Sequence, residues 1–345
     1  MAALDLRFEV DSDQRTFVPG DTISGELVVN ASKKTKCKGL SLTLGWETHG
    51  HGNVDEGVAE ETLLFEGEYS ANSEHRYPFS FELPAGPYTY NGHYLNVAWS
   101  LHAEADVPWA FDPEATWDLV LEPGDNPPRS RQLRGQMKDM DELMSMADTL
   151  RMGAGGFLAT IGALSLLYAF ATGFEIGPAL MIGVALLFFG GTMAFGSIRK
   201  KLAEKKLGEV TVSIEPEVLA PGDEFVCKIQ FQPQSEAKVL DITAEINGSE
   251  VVTSGSGTSR TTYTHELHSE VIHIQKEELR TFRPGLPVEL ELHGEVPHDA
   301  PFSFNASDNS LKWSLELHID IARSPDWKET HPLFVAPCGL SDSAE

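Results

Sequence analysis

The amino-acid sequence predicts a mainly β protein in which two antiparallel β-sandwich domains flank a two-helix transmembrane hairpin. Three observations lead to this fold class. Residues toward both ends of the 345-residue chain alternate between apolar and polar types with a period of two, which is typical of half-buried strands. The two alternating blocks share turn and strand motifs in the same order. Between them, residues 152–198 contain a single charged side chain, Glu175.

These patterns divide the chain into six parts. Strand-like runs separated by Pro- and Gly-rich turns fill both outer blocks, and many short strands at regular spacing favour antiparallel sandwiches. The expected order is an N-terminal sandwich (1–126), an amphipathic helical stalk (127–151), the transmembrane hairpin (152–198), a basic juxtamembrane linker (199–207), a C-terminal sandwich (208–338) and a tail (339–345).

The two outer blocks repeat each other. A turn, a proline-rich segment and a long strand recur at a nearly constant offset, and such order-preserving self-similarity indicates a duplicated domain. The matched pairs are Pro19-Gly20-Asp21 with Pro221-Gly222-Asp223, residues 84–88 with residues 297–302, and Trp99-Ser100-Leu101 with Trp313-Ser314-Leu315.

These motifs carry a family resemblance. The segment from Val18 to Gly25, followed by the strand from Lys38 to Leu44, resembles the opening of an arrestin-like N-domain. Residues 79–92, FSFELPAGPYTYNG, resemble the middle of that domain, and the second block looks like the partner C-domain. Bacterial sporulation-control proteins and eukaryotic α-arrestins share this outline. The resemblance implies two arrestin-type β-sandwiches acting as an adaptor, here with a hairpin inserted between them.

The central segment has the length and composition of two membrane spans. Residues 152–174 and 176–198 are uncharged, and a spanning helix needs about 20 predominantly apolar residues. The alternative is a helical hairpin buried in a protein core. Small residues at helical spacing are expected to pack the two helices together. They are Gly155, Ala159, Ala163, Gly183 and Gly191.

The basic residues beside the two runs predict the orientation. Lys and Arg occur on both outer flanks and are absent from the turn, so the positive-inside rule places both termini and both β-domains in the cytoplasm. The expected localisation is the cell (inner) membrane, as a multi-pass protein in contact with the lipid bilayer. The predicted membrane-flanking residues are Arg129, Arg131, Arg134, Arg199, Lys200 and Lys201.

Composition excludes several function classes. A formal net charge of −26 argues against nucleic acid as a partner. Three cysteines far apart in sequence suit neither a disulfide framework nor a zinc site. Nucleophile elbows, phosphate-binding loops, dinucleotide fingerprints and His-Glu-x-x-His are all missing from the sequence, so we expect no enzyme, no catalytic residue, no metal and no cofactor.

Partner binding is expected at three loops, covering residues 49–57, 84–92 and 253–262. Two histidines two residues apart in the first loop could also share a metal, although a polar hairpin tip explains them more simply. A second group, His265, His268 and His273, would place His268 on the opposite face of a strand from the other two. The candidate partner-binding residues are His49, His51, Asn53, Tyr88, Tyr90, Asn91, Thr258 and Arg260.

The function expected from the sequence is that of a membrane-anchored arrestin-like adaptor or scaffold. It would bind protein partners, of unknown identity, at the cytoplasmic face of the membrane. Two alternatives remain open. One is a homo-oligomeric envelope assembly or integrity protein built on the transmembrane hairpin, and the other is a metal-dependent module that uses the His49/His51 loop.

Overall fold

A computed structural model describes residues 3–109, 111–124, 154, 157–167, 178–274 and 281–337. More than half of these residues lie in strands, which confirms the mainly β fold. The first block contains β1 (Leu4–Val10), β2 (Thr16–Phe17), β3 (Thr22–Ala31), β4 (Thr35–Gly50), β5 (Glu56–Tyr69), β6 (Ser73–Glu82), β7 (Tyr90–Asn91), β8 (Leu95–Asp106) and β9 (Glu114–Leu121). Helix α1 (Pro178–Leu207) leads into the second block, which contains β10 (Val210–Glu215), β11 (Glu224–Phe231), β12 (Ala237–Ser254), β13 (Thr261–His273), β14 (Thr281–Phe282), β15 (Val288–Glu295), β16 (Phe304–Asn305), β17 (Asn309–Ile321) and β18 (Trp327–Leu333).

The first block folds into two facing sheets, with strand orders β1-β3-β6 and β2-β9-β8-β4-β5. Neighbouring strands are antiparallel except for the short parallel pair of β2 and β9. Along β8 every second side chain is buried, as the period-two pattern predicts. Leu27 of one sheet and Leu42 and Trp99 of the other meet in one apolar core between the sheets, so this block is a β-sandwich.

The second block repeats this arrangement. Its sheets have the orders β10-β11-β15 and β13-β12-β17-β16, with β14 beside β12 and β18 beside β17. Phe225 of the smaller sheet and Ile246, Leu315 and Trp327 of the larger one share a second apolar core. The domain boundaries proposed above stay a prediction.

The duplication extends to individual hydrogen bonds. The indole N–H of Trp99 donates to the carbonyl oxygen of Pro87 at 2.6 Å, and the indole N–H of Trp313 donates to the carbonyl oxygen of Pro301 at 2.8 Å. In both blocks the acceptor lies twelve residues before the tryptophan. The repeated motifs therefore have the same structural task, which is to hold a proline-rich segment over the long central strand.

The repeated Pro-Gly-Asp turns also match. Asp21 accepts the backbone N–H of Val18 at 2.9 Å, and Asp223 accepts that of Ala220 at 2.7 Å. The turn glycines have φ angles of 86° and 84°, in the left-handed region that glycine adopts without steric cost. Turn chemistry thus accounts for both copies of this motif.

Helix α1 docks onto the second sandwich through its C-terminal part. Ala203 and Leu207 are buried in the second core. Arg199 forms an ion pair with Asp326 at 3.3 Å. Lys200 forms one with Glu329 at 2.8 Å, and Lys206 donates to the carbonyl oxygen of Ala322 at 3.0 Å. Two of the predicted membrane-flanking residues, Arg199 and Lys200, therefore contact protein carboxylates.

The membrane prediction needs correction. In the ranges that the structure describes, no helix is both long enough and apolar enough to cross a membrane. The predicted transmembrane hairpin lacks support, and the predicted multi-pass localisation at the inner membrane is wrong. Within the first proposed span, residue 154 and residues 157–167 are described, and they are helical. Residues 178–198 of the second proposed span belong to α1, which continues past them to the charged turns that contact β18.

The sequence argument failed because an uncharged run does not decide where a helix ends or what it packs against. Ala159 and Ala163 lie in the helical residues 157–167, and Gly183 and Gly191 lie in α1. Their predicted pairing is untested. Gly155, Arg129, Arg131 and Arg134 fall outside the described residues.

Candidate functional site: the junction between the two sandwiches

The two sandwiches meet where the ends of β4 and β8 approach β12 and the loop before β17. A small apolar cluster lies at this junction and joins side chains of both blocks. Its buried members are Leu95, Val97, Val252, Phe304 and Leu311. Burying apolar surface between the blocks favours one fixed arrangement over independent domains.

Glu250, on β12, is the central polar residue of the junction. Its side chain is completely buried, and both carboxylate oxygens accept hydrogen bonds from the first sandwich. Oε1 accepts the hydroxyl of Tyr90 at 2.7 Å and the backbone N–H of His93 at 2.9 Å. Oε2 accepts the backbone N–H groups of Tyr94 at 2.6 Å and Leu95 at 3.3 Å. Four neutral donors thus solvate a buried carboxylate, and we call this set the Glu250 network.

These hydrogen bonds keep Glu250 ionised. Burial by itself would raise the pKa of the Glu250 carboxyl, but the bonds from Tyr94, Tyr90, His93 and Leu95 lower it, and the balance is a pKa below the ordinary 4.5. Burial and the bond to the carboxylate raise the pKa of the Tyr90 hydroxyl, so Tyr90 remains the proton donor. Glu250 therefore stays ionised and Tyr90 stays protonated, so the network is suited to joining the two sandwiches and not to proton transfer.

Gly92 allows the approach of the carboxylate. A Cβ at this position would overlap Oε1 of Glu250 and would lie 2.5 Å from a ring carbon of Tyr90. The loop between β7 and β8 can therefore wrap around Glu250 only because residue 92 has no side chain.

A second polar network crosses the junction around Asn309. Its buried side-chain amide donates to Oδ2 of Asp55 at 2.7 Å, to the carbonyl oxygen of Asn53 at 2.6 Å and to the hydroxyl of Thr48 at 3.0 Å. The backbone N–H of Asp308 adds a bond to the same Asp55 oxygen at 2.9 Å. Buried groups of this kind are costly unless paired, so the network also fixes the relative position of the blocks.

Asn53 links the hairpin tip of the first block to the Gly-rich loop of the second. Its side chain donates to the carbonyl oxygen of Gly255 at 3.0 Å and to Asp308 at 2.8 Å, and it accepts the N–H of Gly255 at 3.0 Å. Arg260 forms an ion pair with Asp308 at the same place. Of the predicted partner-binding residues, Asn53 thus contacts the other sandwich, whereas the ion pair of Arg260 lies within the second sandwich.

An aromatic and histidine cluster borders the Glu250 network. The imidazole rings of His93 and His265, from opposite blocks, stack with centroids 4.2 Å apart. The His51 ring lies 4.8 Å from Tyr94 and 6.1 Å from Tyr263. His51 is therefore another predicted residue that the fold brings to the junction.

Of the remaining predicted residues, Tyr88 also reaches the other block, whereas among the described residues the other three make no hydrogen bond or ion pair between the blocks. Tyr88 is buried and packs edge-on against Phe302 of the second block, with ring centroids 5.7 Å apart. His49 contacts Glu47 of its own strand at 3.2 Å. Asn91 and Thr258 are exposed. Among the described residues no group of three or more His, Cys, Asp or Glu is placed to hold a metal ion.

Sequence reasoning missed Glu250. It lies on a strand in which residues 242, 244, 246, 248, 250 and 252 are all buried. The sequence does contain a signal. Glu250 occupies a position that the alternation assigns to the buried face, and a buried carboxylate needs hydrogen-bond partners from elsewhere in the fold.

Comparisons with known proteins add little to this geometry. No protein-family model matches the sequence, and no curated protein matches it. Among solved structures, the chain is similar to the crystal structure of Spo0M, the sporulation control protein of Bacillus subtilis, at 11% sequence identity and a TM-score of 0.30. The match covers 96% of this chain and 91% of that chain. So loose a superposition carries no argument, and the architecture rests on the sheets and contacts described above.

Proposed function

We propose that the chain is a non-catalytic adaptor whose two β-sandwiches bind extended segments of partner proteins at free sheet edges. The observation that carries the proposal is the pair of long edge strands, β5 and β13. Within the described residues, β5 pairs only with β4, and β13 pairs only with β12. A long edge strand offers unpaired backbone N–H and C=O groups along one side, which a partner strand can complete.

The side chains of β5 suit such a role. Val58 and Leu63 are 65% and 62% exposed, and they stand among the glutamates of the strand. An added strand could bury these apolar groups while its backbone completes the ladder. The acidic neighbours would favour partners with basic residues.

The opposite edge of the larger second sheet provides a contrast. There α1 lies against β18, where Lys200 pairs with Glu329 of the strand and Arg199 pairs with Asp326 just before it. A helix over an edge is one of the ways in which proteins block strand addition. The contrast supports β5 and β13 as the docking edges.

The junction supports an adaptor with two docking edges in a fixed relation. Two polar networks and an apolar cluster span the blocks, so the edges would not move independently. The resemblance of the turn and strand motifs to arrestin-like domains points toward the same class of function. The assembly alternative depended on the transmembrane hairpin, and the metal alternative has no supporting cluster among the described residues.

The proposal is tested by selecting a displayed library of random peptides against the full chain. Selected peptides should be extended, and their binding should slow amide hydrogen exchange along β5 or β13. Val58→Lys and Leu63→Lys should weaken binding at β5, because edge lysines oppose strand pairing. Val54→Lys is the matched control, since Val54 is 60% exposed but precedes the strand. Protection confined to other parts of the chain, or equal binding by all three variants and the parent, would refute edge docking at β5.

A further inference from the structure

A groove of about 760 Å³ opens between the edge strands of the two facing sheets of the second sandwich. We call it the β13–β15 groove, because β13 forms one wall and the end of β15 with the following turn forms the other. Three carboxylates and three imidazoles line it. They are Glu224, Glu270, Glu295, His268, His293 and His298.

The groove is negatively charged. None of its lining residues is Lys or Arg. Glu224 and Glu295 face each other directly in the antiparallel register of β11 and β15, and like charges in this position destabilise a sheet. The imidazole of His298 lies 3.4 Å from the carboxylate of Glu295. A cation placed in the groove would relieve this repulsion.

A β-bulge brings His268 to the groove wall. The register between β12 and β13 shifts at Gly248/Ser249, so that His268 pairs with Gly248 and Glu266 pairs with Ser249. The Nε2 atom of His268 is shielded from solvent and has no hydrogen-bond partner among the described residues, while Oε2 of Glu270 lies 3.6 Å away. His268 therefore places a polar side chain at the groove wall, beside the carboxylate of Glu270.

The groove also has an apolar part. Ile272, Val296 and Pro297 contribute to its lining. Gly294 keeps it open beside Ile272, because a Cβ there would lie 2.8 Å from Cδ1 of that side chain. An aliphatic stem over an apolar surface with a charged head among carboxylates is the arrangement that long basic side chains adopt.

We propose that the β13–β15 groove binds the arginine or lysine side chain of an extended partner segment that pairs with the free edge of β13. The inference rests on the proposed adaptor function and adds the chemistry of the partner. The groove opens beside the unpaired edge, so a strand added to β13 directs alternate side chains toward it. Arginine fits best, because its planar guanidinium can pair with two carboxylates at once.

The test uses a short blocked peptide of alternating threonine and valine with one central arginine, and a second peptide with glutamine in place of arginine. Both are titrated against the full chain and against two triple variants. The groove variant is Glu224→Gln, Glu270→Gln and Glu295→Gln. The control variant, Glu266→Gln, Glu289→Gln and Glu291→Gln, removes the same charge from exposed positions of β13 and β15 outside the groove.

The parent and the control variant should bind the arginine peptide about five- to tenfold more tightly than the glutamine peptide, as expected for about three partly exposed charge contacts. The groove variant should bind both peptides equally, and amide exchange should slow along β13. Equal loss of affinity in the two variants would mean that net charge alone acts, and this would overturn the inference.

The outcomes separate this inference from the proposed function. Slower amide exchange in β13 with no preference for the arginine peptide would support the adaptor proposal and refute arginine binding in the groove. Protection of β5 instead would have the same meaning. Absence of binding to any edge at about 1 mM peptide, together with an unproductive library selection, would refute both.

Discussion

Replacing Glu250 by glutamine tests whether the junction holds the two sandwiches as one unit. The substitution keeps the size of the side chain and removes its charge. The amide oxygen can still serve Tyr90 and His93, while the amide NH₂ then faces the N–H groups of Tyr94 and Leu95. Two donors lose their acceptor in a buried site.

The magnitude follows from these contacts. Hydrogen bonds to a charged group contribute about 1.5–3 kcal/mol each, and a buried donor left unpaired costs about 1–3 kcal/mol. Removing a buried charge also removes its desolvation cost, which offsets part of the loss. We expect the free energy of unfolding to fall by about 2–4 kcal/mol, a large share of the roughly 5–15 kcal/mol that is typical of folded domains.

Urea unfolding followed by tryptophan fluorescence measures this change, because each block contains a buried tryptophan, Trp99 in the first and Trp313 in the second. Glu266→Gln is the matched control, since Glu266 is exposed on the neighbouring strand. The control should stay within about 0.5 kcal/mol of the parent. If Glu250→Gln and Glu266→Gln unfold at the same urea concentration, the Glu250 network does not hold the junction.

Two further predictions concern acid stability and the docking of α1. Because the folded pKa of Glu250 lies below 4.5, its contribution should be complete above pH 4.5 and should disappear as the pH falls through the folded value. Urea midpoints measured from pH 7 down to about 3 should drop more steeply for the parent than for Glu250→Gln, and parallel profiles would contradict this. Replacing Arg199 and Lys200 by glutamine should speed amide exchange in the C-terminal turns of α1, because each lost ion pair removes at most about 1 kcal/mol of stabilisation. Lys201→Gln, at an exposed position, is the control and should leave the exchange rate unchanged. Equal exchange in the two variants would mean that the ion pairs of Arg199 and Lys200 do not hold the helix.

Strands with one buried face were predictable from sequence. The alternation of β8 and β17 reflects side chains that point in turn to the core and to the other face, so pattern and burial coincide. The twin Pro-Gly-Asp turns were predictable for a local reason, since glycine and aspartate satisfy the turn by themselves.

Edge strands were harder to predict. Most of β5 is exposed or half-buried on both faces, so its sequence lacks the alternation that identifies a strand. The bulge in β13 has a similar effect. A strict period of two places His265 and His268 on opposite faces of the strand. The bulge adds one residue, so that His265 pairs with Glu250 and His268 pairs with Gly248, and both of these partners lie on the buried face of β12.

The junction depends on contacts that no local pattern encodes. Glu250 reaches Tyr94 across 156 residues of sequence, and Asn309 reaches Asp55 across 254. The sequence predicts Asn53 as a polar loop residue that binds a partner protein. In the structure its side chain forms hydrogen bonds with the second sandwich of the same chain. A polar loop residue can bind a foreign protein or another part of its own chain, and sequence pattern does not distinguish these two cases.

This ambiguity changes where partner binding is to be expected. Two residues that looked free in sequence, Asn53 and Tyr90, have hydrogen-bonding groups engaged across the junction, and Arg260 is paired with Asp308 beside it, so a partner would have to compete with these contacts to use them. The backbone groups on the open side of β5 and β13 carry no such cost. Strand addition there would leave both polar networks intact, which is why we propose the edges, and not the loops, as the surfaces that bind a partner while the junction stays closed.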